Sequence, residues 1–258
     1  MRSLPRGTMM AASISAEKIA KVLPPSIQIA SNNAPVLCVV SGPEADVAAL
    51  RVELEAANIA CRPLHTSHAF HSAMMDPVVE PLRAEVAKLK LRGPSQPFVS
   101  TVTGRLITEE EATNPAYWAH HARATVEFSR AALTLKEMGY DLFLECGPRS
   151  SLCSLTRQHF GPDRPCVAIP TLADTNENNA EWASLLFAVG SLWLNGVSID
   201  WDAFHVHADR RRIPLPSYPF ERQRTGLIPP MRSKRVRRGL RTCRSQRPWI
   251  MRWSRHLR

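Results

Sequence analysis

Long apolar runs are missing from this sequence of 258 residues. A membrane-spanning helix needs about 18–20 consecutive apolar residues, and no segment approaches that length. The first seven residues, Met-Arg-Ser-Leu-Pro-Arg-Gly, hold no apolar stretch of the kind found in secretory signal peptides. We therefore expect a cytoplasmic protein with no membrane partner. Because 44% of the residues are hydrophobic, the chain can still build a packed core.

Paired cysteine motifs are also absent. None of the six cysteines belongs to a CxxC pair, and most lie within apolar segments. We expect reduced, mostly buried thiols, with neither a disulfide framework nor a metal site. Cys146 ends a predicted apolar strand, a position that favours a buried, unreactive thiol over a nucleophile.

Glycine-rich site motifs are missing as well. The 11 glycines are scattered and form no phosphate-binding loop. The GxSxG motif, which presents a serine nucleophile on a sharp turn, occurs nowhere in the chain. The sequence therefore contains no nucleophile elbow of its own.

Positive charge is abundant but confined to one end. Residues 231–258 hold 11 Lys and Arg and no acidic residue, which leaves 22 basic against 23 acidic residues elsewhere, a net charge of −1. We therefore do not expect nucleic acid among the partners of the folded part. Residues 225–258 are predicted to be a disordered basic tail. Binding to an anionic partner or nucleic acid and an accidental reading-frame extension are the alternatives for this tail.

Apolar periodicity predicts a β-α-β-β-α-β order over residues 8–66. Turn-forming residues are predicted at Asn32–Pro35, between the second and third strands. This order is typical of a ferredoxin-like unit, which we assign to residues 7–65. The predicted strands lie near residues 8–14, 27–29, 36–40 and 59–64, and the predicted helices near residues 15–23 and 44–58.

Strands alternate with helices in residues 66–172, which predicts part of a parallel α/β sheet. A single long helix is predicted over residues 114–138, with His120 and His121 as a solvated pair on it. Residues 213–220 are proline-rich and favour an extended backbone. The other predicted elements are strands at residues 97–104, 141–145 and 166–169 and helices at residues 75–89, from about residue 150, and at residues 180–194.

His71 is the main candidate for catalytic chemistry. It follows Phe70 in a short loop between a predicted strand and a helix, where a general base can reach a group outside its own element. The alternative is a loop histidine that is exposed or bonded to the backbone. The spacing of His65, His68 and His71 would also suit metal ligands gathered by a loop, but no carboxylate or cysteine stands at a familiar spacing beside them. We therefore predict no metal.

Several motifs follow one another in the order seen in one family. The segment Ser67-His68-Ala69-Phe70-His71-Ser72 resembles the HAFH region of acyltransferase domains in modular polyketide synthases. Upstream, Asn33-Ala34-Pro35 and Val39-Val40-Ser41-Gly42-Pro43 are similar to their ferredoxin-like subdomain. Downstream, the similarity extends to Ser100–Gly104, Tyr117-Trp118, Glu145–Pro148, Leu192–Leu194, Val197–Trp201 and Pro214–Arg224.

This resemblance implies a fold and a reaction. The fold is α/β, with an intact ferredoxin-like small subdomain (7–65), an incomplete α/β hydrolase-like large subdomain (66–172), an extended linker (173–224) and the basic tail (225–258). In this family a serine takes a malonyl group from malonyl-CoA and passes it to the phosphopantetheine thiol of an acyl carrier protein. No cofactor is bound. The implied partners are the acyl carrier protein, the ketosynthase and other domains of a synthase.

The resemblance also assigns residues. His71 matches the catalytic histidine, which the family orients mainly through backbone carbonyls. His68 and Phe70 match the positions that select malonyl over methylmalonyl groups, and Asn33 matches an asparagine at the border of the site. The family's serine elbow and its carboxylate-binding arginine have no counterpart in this sequence. Two interpretations follow: part of a malonyl transferase, inactive as an isolated chain, or a non-catalytic remnant or interaction module.

Overall fold

The computed structural model describes residues 4–173, 180–207 and 213–218. The chain divides into two compact units, Met1–His207 and Ala208–Arg258. The described part of the second unit, residues 213–218, has no helix or strand. The predicted basic tail and residues 174–179, 208–212 and 219–224 of the predicted linker lie outside the described residues. Within the described ranges, no helix has both the length and the hydropathy to cross a bilayer.

The first unit contains all the helices and strands of the described residues, and the predicted mixture of α and β structure is confirmed. In chain order the elements are β1 (Thr8–Ala12), α1 (Ala16–Ile19), β2 (Gln28–Ala34), β3 (Leu37–Gly42), α2 (Glu44–Ala56), β4 (Cys61–Pro63), a 3₁₀ turn (Ala73–Met75), α3 (Asp76–Val86), α4 (Glu109–Thr113), α5 (Pro115–His120), α6 (Phe128–Glu137), β5 (Leu142–Glu145), α7 (Ser151–Arg157), β6 (Val167–Pro170), α8 (Ala180–Leu194) and α9 (Trp201–His205).

Four strands form an antiparallel sheet in the order β2-β3-β1-β4. Side chains alternate between the two faces of a strand, so every second residue of β1 and β3 points to the same side. On one side these residues pack with apolar residues of α1 and α2 into a buried core. Its members are Met10, Ala12, Ile19, Ile27, Cys38, Val40, Val47, Leu50 and Leu54.

The opposite face of this sheet carries a smaller apolar cluster. Met9, Ala30 and Val39 are buried there, and Ala11, Leu64 and Phe70 pack against them. Leu64 and Phe70 belong to the segment that leaves β4. The cluster therefore anchors the loop that contains the HAFH motif against the sheet.

Strands β5 and β6 form a parallel pair in the described residues. Glu145 ends β5, and its buried carboxylate accepts hydrogen bonds from the backbone N–H groups of Leu152 at 3.1 Å and Cys153 at 2.8 Å. These donors belong to the first turn of α7, where a negative charge is favourable for the helix dipole. The carboxylate thus fixes the start of α7 relative to the end of β5.

The single helix predicted over residues 114–138 is wrong, because the chain forms α5 and α6 with an irregular segment, residues 121–127, between them. In this segment the N–H of Val126 donates to the carbonyl of Ala30 at 2.9 Å, and the carbonyl of Val126 accepts from the N–H of Asn32 at 2.9 Å. Pairing with β2 thus satisfies backbone groups that a continuous helix would have satisfied internally.

Two strand predictions also differ from the structure. Residues 97–104 form no strand and contribute one isolated bridge, between Val99 and Leu106. The chain turns at Gly104, whose φ of +67° suits glycine because it has no Cβ. Strand β2 continues through Asn32 and Asn33, which were predicted as a turn, because its pairing with β3 extends to Ala34 through two irregularities in register.

Candidate active site

His71 lies in the loop between β4 and the 3₁₀ turn, in a left-handed backbone conformation with φ of 58°. This conformation is unfavourable for a residue with a Cβ, so the surrounding contacts have to maintain it. Ser72 supplies part of that support, because its buried hydroxyl donates to the carbonyl of Ala69 at 2.6 Å and accepts from the N–H of Met74 at 3.3 Å. The loop therefore holds His71 in a defined position.

The backbone of residues 121–127 orients the His71 ring. Nδ1 of His71 lies 2.8 Å from the carbonyl oxygen of Ala124, and the His71 N–H donates to the carbonyl of Ala122 at 3.3 Å. A carbonyl oxygen can only accept, so Nδ1 must carry the hydrogen. In the neutral ring, Nε2 then has the free electron pair that a general base needs.

Several bonds fix this orienting segment. Thr125 donates from its hydroxyl to the carbonyl of Ile29 at 2.7 Å, next to the pairing of Val126 with β2. Nε of Arg123 donates to the Asp76 carboxylate at 2.6 Å, which ties the segment to the first turn of α3. The carbonyl that accepts from His71 therefore lies between anchors to the sheet and to a helix.

His121 is a second histidine near His71, and the sequence predicted it only as one of a solvated pair. The predicted solvated pair holds only for His120, which is exposed; His121 is half-buried and stacks on Trp118, with ring centroids 5.6 Å apart. Burial, followed by the charges of His71 and His120, lowers the pKa of His121. A neutral His121 places no positive charge near the candidate base.

The predicted specificity residues, His68 and Phe70, lie in the same loop as His71. Phe70 is half-buried against the cluster of Met9, Ala30 and Val39, and the His68 ring lies 6.1 Å from the Phe70 ring. Nδ1 of His68 is 2.8 Å from the Ser67 hydroxyl. The side chain that precedes the candidate base in sequence is thus an aromatic ring packed against the sheet.

A cleft of about 820 Å³ lies between one face of the four-stranded sheet and α7. Asn33 contributes to its lining, and its Oδ1 accepts a hydrogen bond from the hydroxyl of Ser31. Ser31 in turn pairs with Val126 of the orienting segment. The lining residues are Ala11, Ser13, Asn33, Leu37, Val39, Ala60, Cys61, Arg62, Leu64, Arg149, Ser150, Ser151, Ser154, Leu155 and Gln158.

The histidine triplet lies in the loop before the 3₁₀ turn, and the cysteines are spread over the fold. In the part of the chain that the structure describes, no three His, Cys, Asp or Glu residues are grouped to hold a metal ion, and the triplet of His65, His68 and His71 forms no such group. The five described cysteines are free thiols, but Cys146 is exposed rather than buried as predicted. The chain leaves the sheet directly after Glu145, so Cys146 has no strand neighbour to cover it.

Comparisons with known proteins identify the family of this chain. A family model described as acyl transferase domain matches residues 1–192. The phenolphthiocerol synthesis polyketide synthase type I of Mycobacterium marinum is 34% identical over 231 residues, which are 89% of this chain and 11% of that protein. The polyketide synthase GfsA of Streptomyces halstedii is 34% identical over 235 residues, covering 88% of this chain and 3% of that protein.

Solved structures agree with this assignment. The acyltransferase domain from the second module of the salinomycin polyketide synthase matches with a TM-score of 0.74 and 30% identity, over 85% of this chain and 52% of that one. The acyl transferase domain of ZmaA matches with a TM-score of 0.72 and 32% identity, over 84% of this chain and 50% of that one. The chain thus spans about half the length of these solved domains.

The chain therefore belongs to the acyl transferase domain family. Within that family, its similarity to the acyltransferase domains of modular type I polyketide synthases, predicted from the ordered motifs, is confirmed.

Proposed function

We propose that this chain provides the general base and the acyl-selecting residues of a malonyl transferase. The reaction moves a malonyl group from malonyl-CoA to the phosphopantetheine thiol of an acyl carrier protein. The carrier protein, the ketosynthase and other synthase domains are the proposed partners. The position of His71 is the observation that carries this proposal, because its Nδ1 bond to Ala124 leaves Nε2 as the basic nitrogen.

The proposed reaction has two proton-transfer steps at His71. In the first, Nε2 takes the proton of a serine hydroxyl as the oxygen attacks the thioester carbonyl; the C–S bond breaks, and the proton passes to the leaving thiolate. In the second, Nε2 takes the proton of the phosphopantetheine thiol as its sulfur attacks the serine ester. The C–O bond breaks, and the proton returns to the serine oxygen.

The proposal places the serine on polypeptide other than these 258 residues, because they contain no GxSxG motif. Within the chain, we propose residues 7–65 as the ferredoxin-like small subdomain. The β2-β3-β1-β4 order of its sheet supports this assignment. Residues 66–172 would belong to the large subdomain and residues 173–224 to the linker that follows it.

Phe70 and His68 are proposed to select the malonyl group. An α-methyl branch on the acyl group would need space beside the base, and the packed Phe70 ring occupies space there. Excluding one methyl group is worth about 1–3 kcal/mol, which corresponds to a preference of about 10- to 200-fold. Asn33 would border the site through its bond with Ser31.

Reconstitution tests this function directly. The chain is mixed with a separate polypeptide that carries the serine-bearing part of an acyltransferase domain, and malonyl-CoA is added. Intact-mass analysis should show a malonyl adduct on the serine of the second polypeptide. His71→Ala should slow adduct formation by about 10²–10⁴-fold, whereas His120→Ala, which changes an exposed histidine on α5, should not.

Two results would contradict the proposal. Acylation at the wild-type rate in His71→Ala would show that His71 is not the base. No adduct with the folded wild-type chain would favour the non-catalytic alternative, a remnant or interaction module.

A further inference from the structure

Gly7 lies directly before β1 and is buried against the HAFH loop, residues 64–72, which runs from β4 to the 3₁₀ turn. A methyl group on Gly7 would lie 2.6 Å from Cβ of Ala69, 3.0 Å from the Ala69 nitrogen and 3.1 Å from the carbonyl oxygen of Gly42. Non-bonded carbon atoms pack at about 3.5–4.0 Å, so a larger residue would displace a neighbour. Gly7 does not have a positive φ, so close approach rather than backbone conformation requires glycine here.

The neighbour that would yield is Ala69 rather than Gly42. Gly42 belongs to β3 and pairs with Thr8, the first of five residue pairs that fix β1 against β3. Ala69 lies in the loop, where it is completely buried and its carbonyl accepts from the Ser72 hydroxyl at 2.6 Å. A larger residue before β1 would therefore push the loop at Ala69 and, through Ser72, the residues on both sides of His71.

The other end of the HAFH loop is held by a side chain of β2. Oε1 of Gln28 accepts a hydrogen bond from the N–H of Ala73 at 2.6 Å. Because β2 pairs with β3, this bond also fixes the loop relative to the sheet. A loop that is displaced at Ala69 and held at Ala73 does not shift as a rigid unit, so the change of shape falls on residues 70–72.

The contacts of His71 are sensitive to such a change. Its N–H donates to the carbonyl of Ala122 at 3.3 Å, longer than the usual range of about 2.7–3.2 Å, and its Nδ1 lies 2.8 Å from the carbonyl oxygen of Ala124. We propose that Gly7 and Gln28 are positioning residues, which hold the HAFH loop at its two ends and thereby set the tautomer of the His71 ring. Their effect on catalysis rests on the proposed function, whereas their effect on the tautomer does not.

NMR on the full chain tests the proposal without a catalytic partner. The ring ¹⁵N shifts of neutral His71 should report hydrogen on Nδ1 in the wild type. Gly7→Ala should give a mixture of the two tautomers, because the ring moves relative to Ala124. Gly161→Ala is the matched control: it makes the same substitution at an exposed glycine whose added methyl group would have no heavy atom within 4 Å, and it should leave the His71 shifts unchanged.

A rescue variant separates the steric contact from general destabilisation. Ala69→Gly removes the Cβ that a methyl group on Gly7 would meet at 2.6 Å and leaves the contacts at 3.0 and 3.1 Å. Gly7→Ala/Ala69→Gly should therefore recover most of the tautomer with hydrogen on Nδ1. Losses that simply add in the double variant would overturn the steric contact as the cause. If Gly7→Ala does not fold, recovery of the fold in the double variant supports the contact, and failure to recover overturns it.

Two variants of Gln28 test the other end of the loop. Gln28→Ala removes the acceptor for the Ala73 N–H and should also give a mixture of His71 tautomers. Gln28→Glu keeps an oxygen acceptor at this position and should stay close to the wild type. Unchanged His71 shifts in Gln28→Ala, or in folded Gly7→Ala, would overturn the proposal for the residue concerned.

Malonyl transfer separates this inference from the proposed function. In the reconstituted enzyme, Gly7→Ala should slow adduct formation at saturating malonyl-CoA by about 10- to 100-fold and leave KM within about twofold, because a misplaced base affects the chemical step. Adduct formation that depends on His71 but is unchanged in Gly7→Ala would overturn the positioning role while the proposed function stands. A changed tautomer in Gly7→Ala, with no adduct from the wild type, would overturn the proposed function while the positioning role stands.

Discussion

The carbonyl oxygen of Ala124 determines which ring nitrogen of His71 carries the hydrogen and which is free to act as a base. The residue before His71 in the sequence is an aromatic, and Ala124, whose carbonyl accepts the hydrogen bond from Nδ1, is 53 positions away. The HAFH motif identifies the base and its neighbours, because they are adjacent in sequence. The acceptor could not be found in this way, since a backbone carbonyl belongs to every residue and alanine carries no chemical signal.

At Phe70 we predict a change of acyl preference. Phe70→Ser removes the ring that packs on Val39 and opens space beside His71. In the reconstituted enzyme, the ratio of malonyl to methylmalonyl adduct should fall by about 10- to 100-fold when the two CoA thioesters compete. Phe98→Ser, a control on a different groove, should leave the ratio unchanged. An unaltered ratio in Phe70→Ser, with the fold verified by circular dichroism, would remove Phe70 from acyl selection.

At Arg123 we predict a positioning effect on His71. Arg123→Gln frees the segment that carries the Ala124 carbonyl from Asp76, so the His71 ring should populate the tautomer with hydrogen on Nε2. The two ¹⁵N shifts of the His71 ring, measured by NMR in its neutral form, report the tautomer directly. Because this ion pair is partly exposed, the loss of stability should be only about 0.2–1 kcal/mol.

Arg83→Gln is the matched control, because it breaks the pair with Glu80 on the same helix without touching the orienting segment. The His71 shifts should not change in that variant. Unchanged shifts in Arg123→Gln would show that the pairing with β2 alone holds the carbonyl.

At the level of elements, periodic patterns predicted most of the fold. The spacing of Val47, Leu50 and Leu54 predicted α2, and these residues form the buried face of that helix. The region after Asn114 was less predictable. Residues 121–127 contain neither glycine nor proline, so local propensity favours a helix there. Pairing with β2, a contact of long sequence separation, overrides this propensity.

The packing of α6 against α7 predicts a dependence of stability on pH. His159 is buried after α7, where Nε2 lies 2.8 Å from the Ser129 hydroxyl of α6 and Nδ1 lies 3.0 Å from the Leu155 carbonyl. Burial lowers the pKa of His159 below the usual 6.5, against the opposing effect of backbone bonds. The unfolded chain therefore takes up a proton at a higher pH than the folded chain does.

The sign of the pH dependence of stability follows from this difference between the folded and unfolded pKa values. The contribution of neutral His159 to the free energy of unfolding is complete above pH 6.5. It is lost as the pH falls through the interval between the pKa of His159 in the unfolded chain and its pKa in the folded chain. Each such histidine can contribute a slope of at most about 1.4 kcal/mol per pH unit. Urea denaturation gives the free energy of unfolding at about pH 7.5 and pH 5.5. The difference between these two values should be smaller for His159→Gln than for the wild type. His121 should supply part of the remaining slope. The control variant His207→Gln, at an exposed histidine that contributes to neither pKa shift, should show the same dependence as the wild type.

For the binding of charged ligands, the distribution of charge along the chain matters more than the net charge of the whole molecule. The net charge of +10 comes from residues 231–258, and the remainder of the sequence has a net charge of −1. A nearly neutral body gives little general attraction for anions, so any recognition of an anion by this part of the chain depends on where its individual charges lie.

The β5–β6 pair predicts self-association of the isolated chain. Parallel sheets are normally covered on both faces, yet Leu144 is 42% exposed on β5 and Leu152 is 49% exposed on the neighbouring α7. Wild-type protein at about 100 μM should bind the apolar dye bis-ANS and sediment faster than a monomer. Leu144→Thr/Leu152→Gln should reduce both signals, because it replaces part of the apolar surface at this site. Val52→Gln/Leu89→Gln alters two more exposed side chains, one on α2 and one after α3, that are 68% and 63% exposed, and should have little effect. Equal improvement in both double variants would show that total exposed apolar area, rather than the β5–β6 surface, drives association.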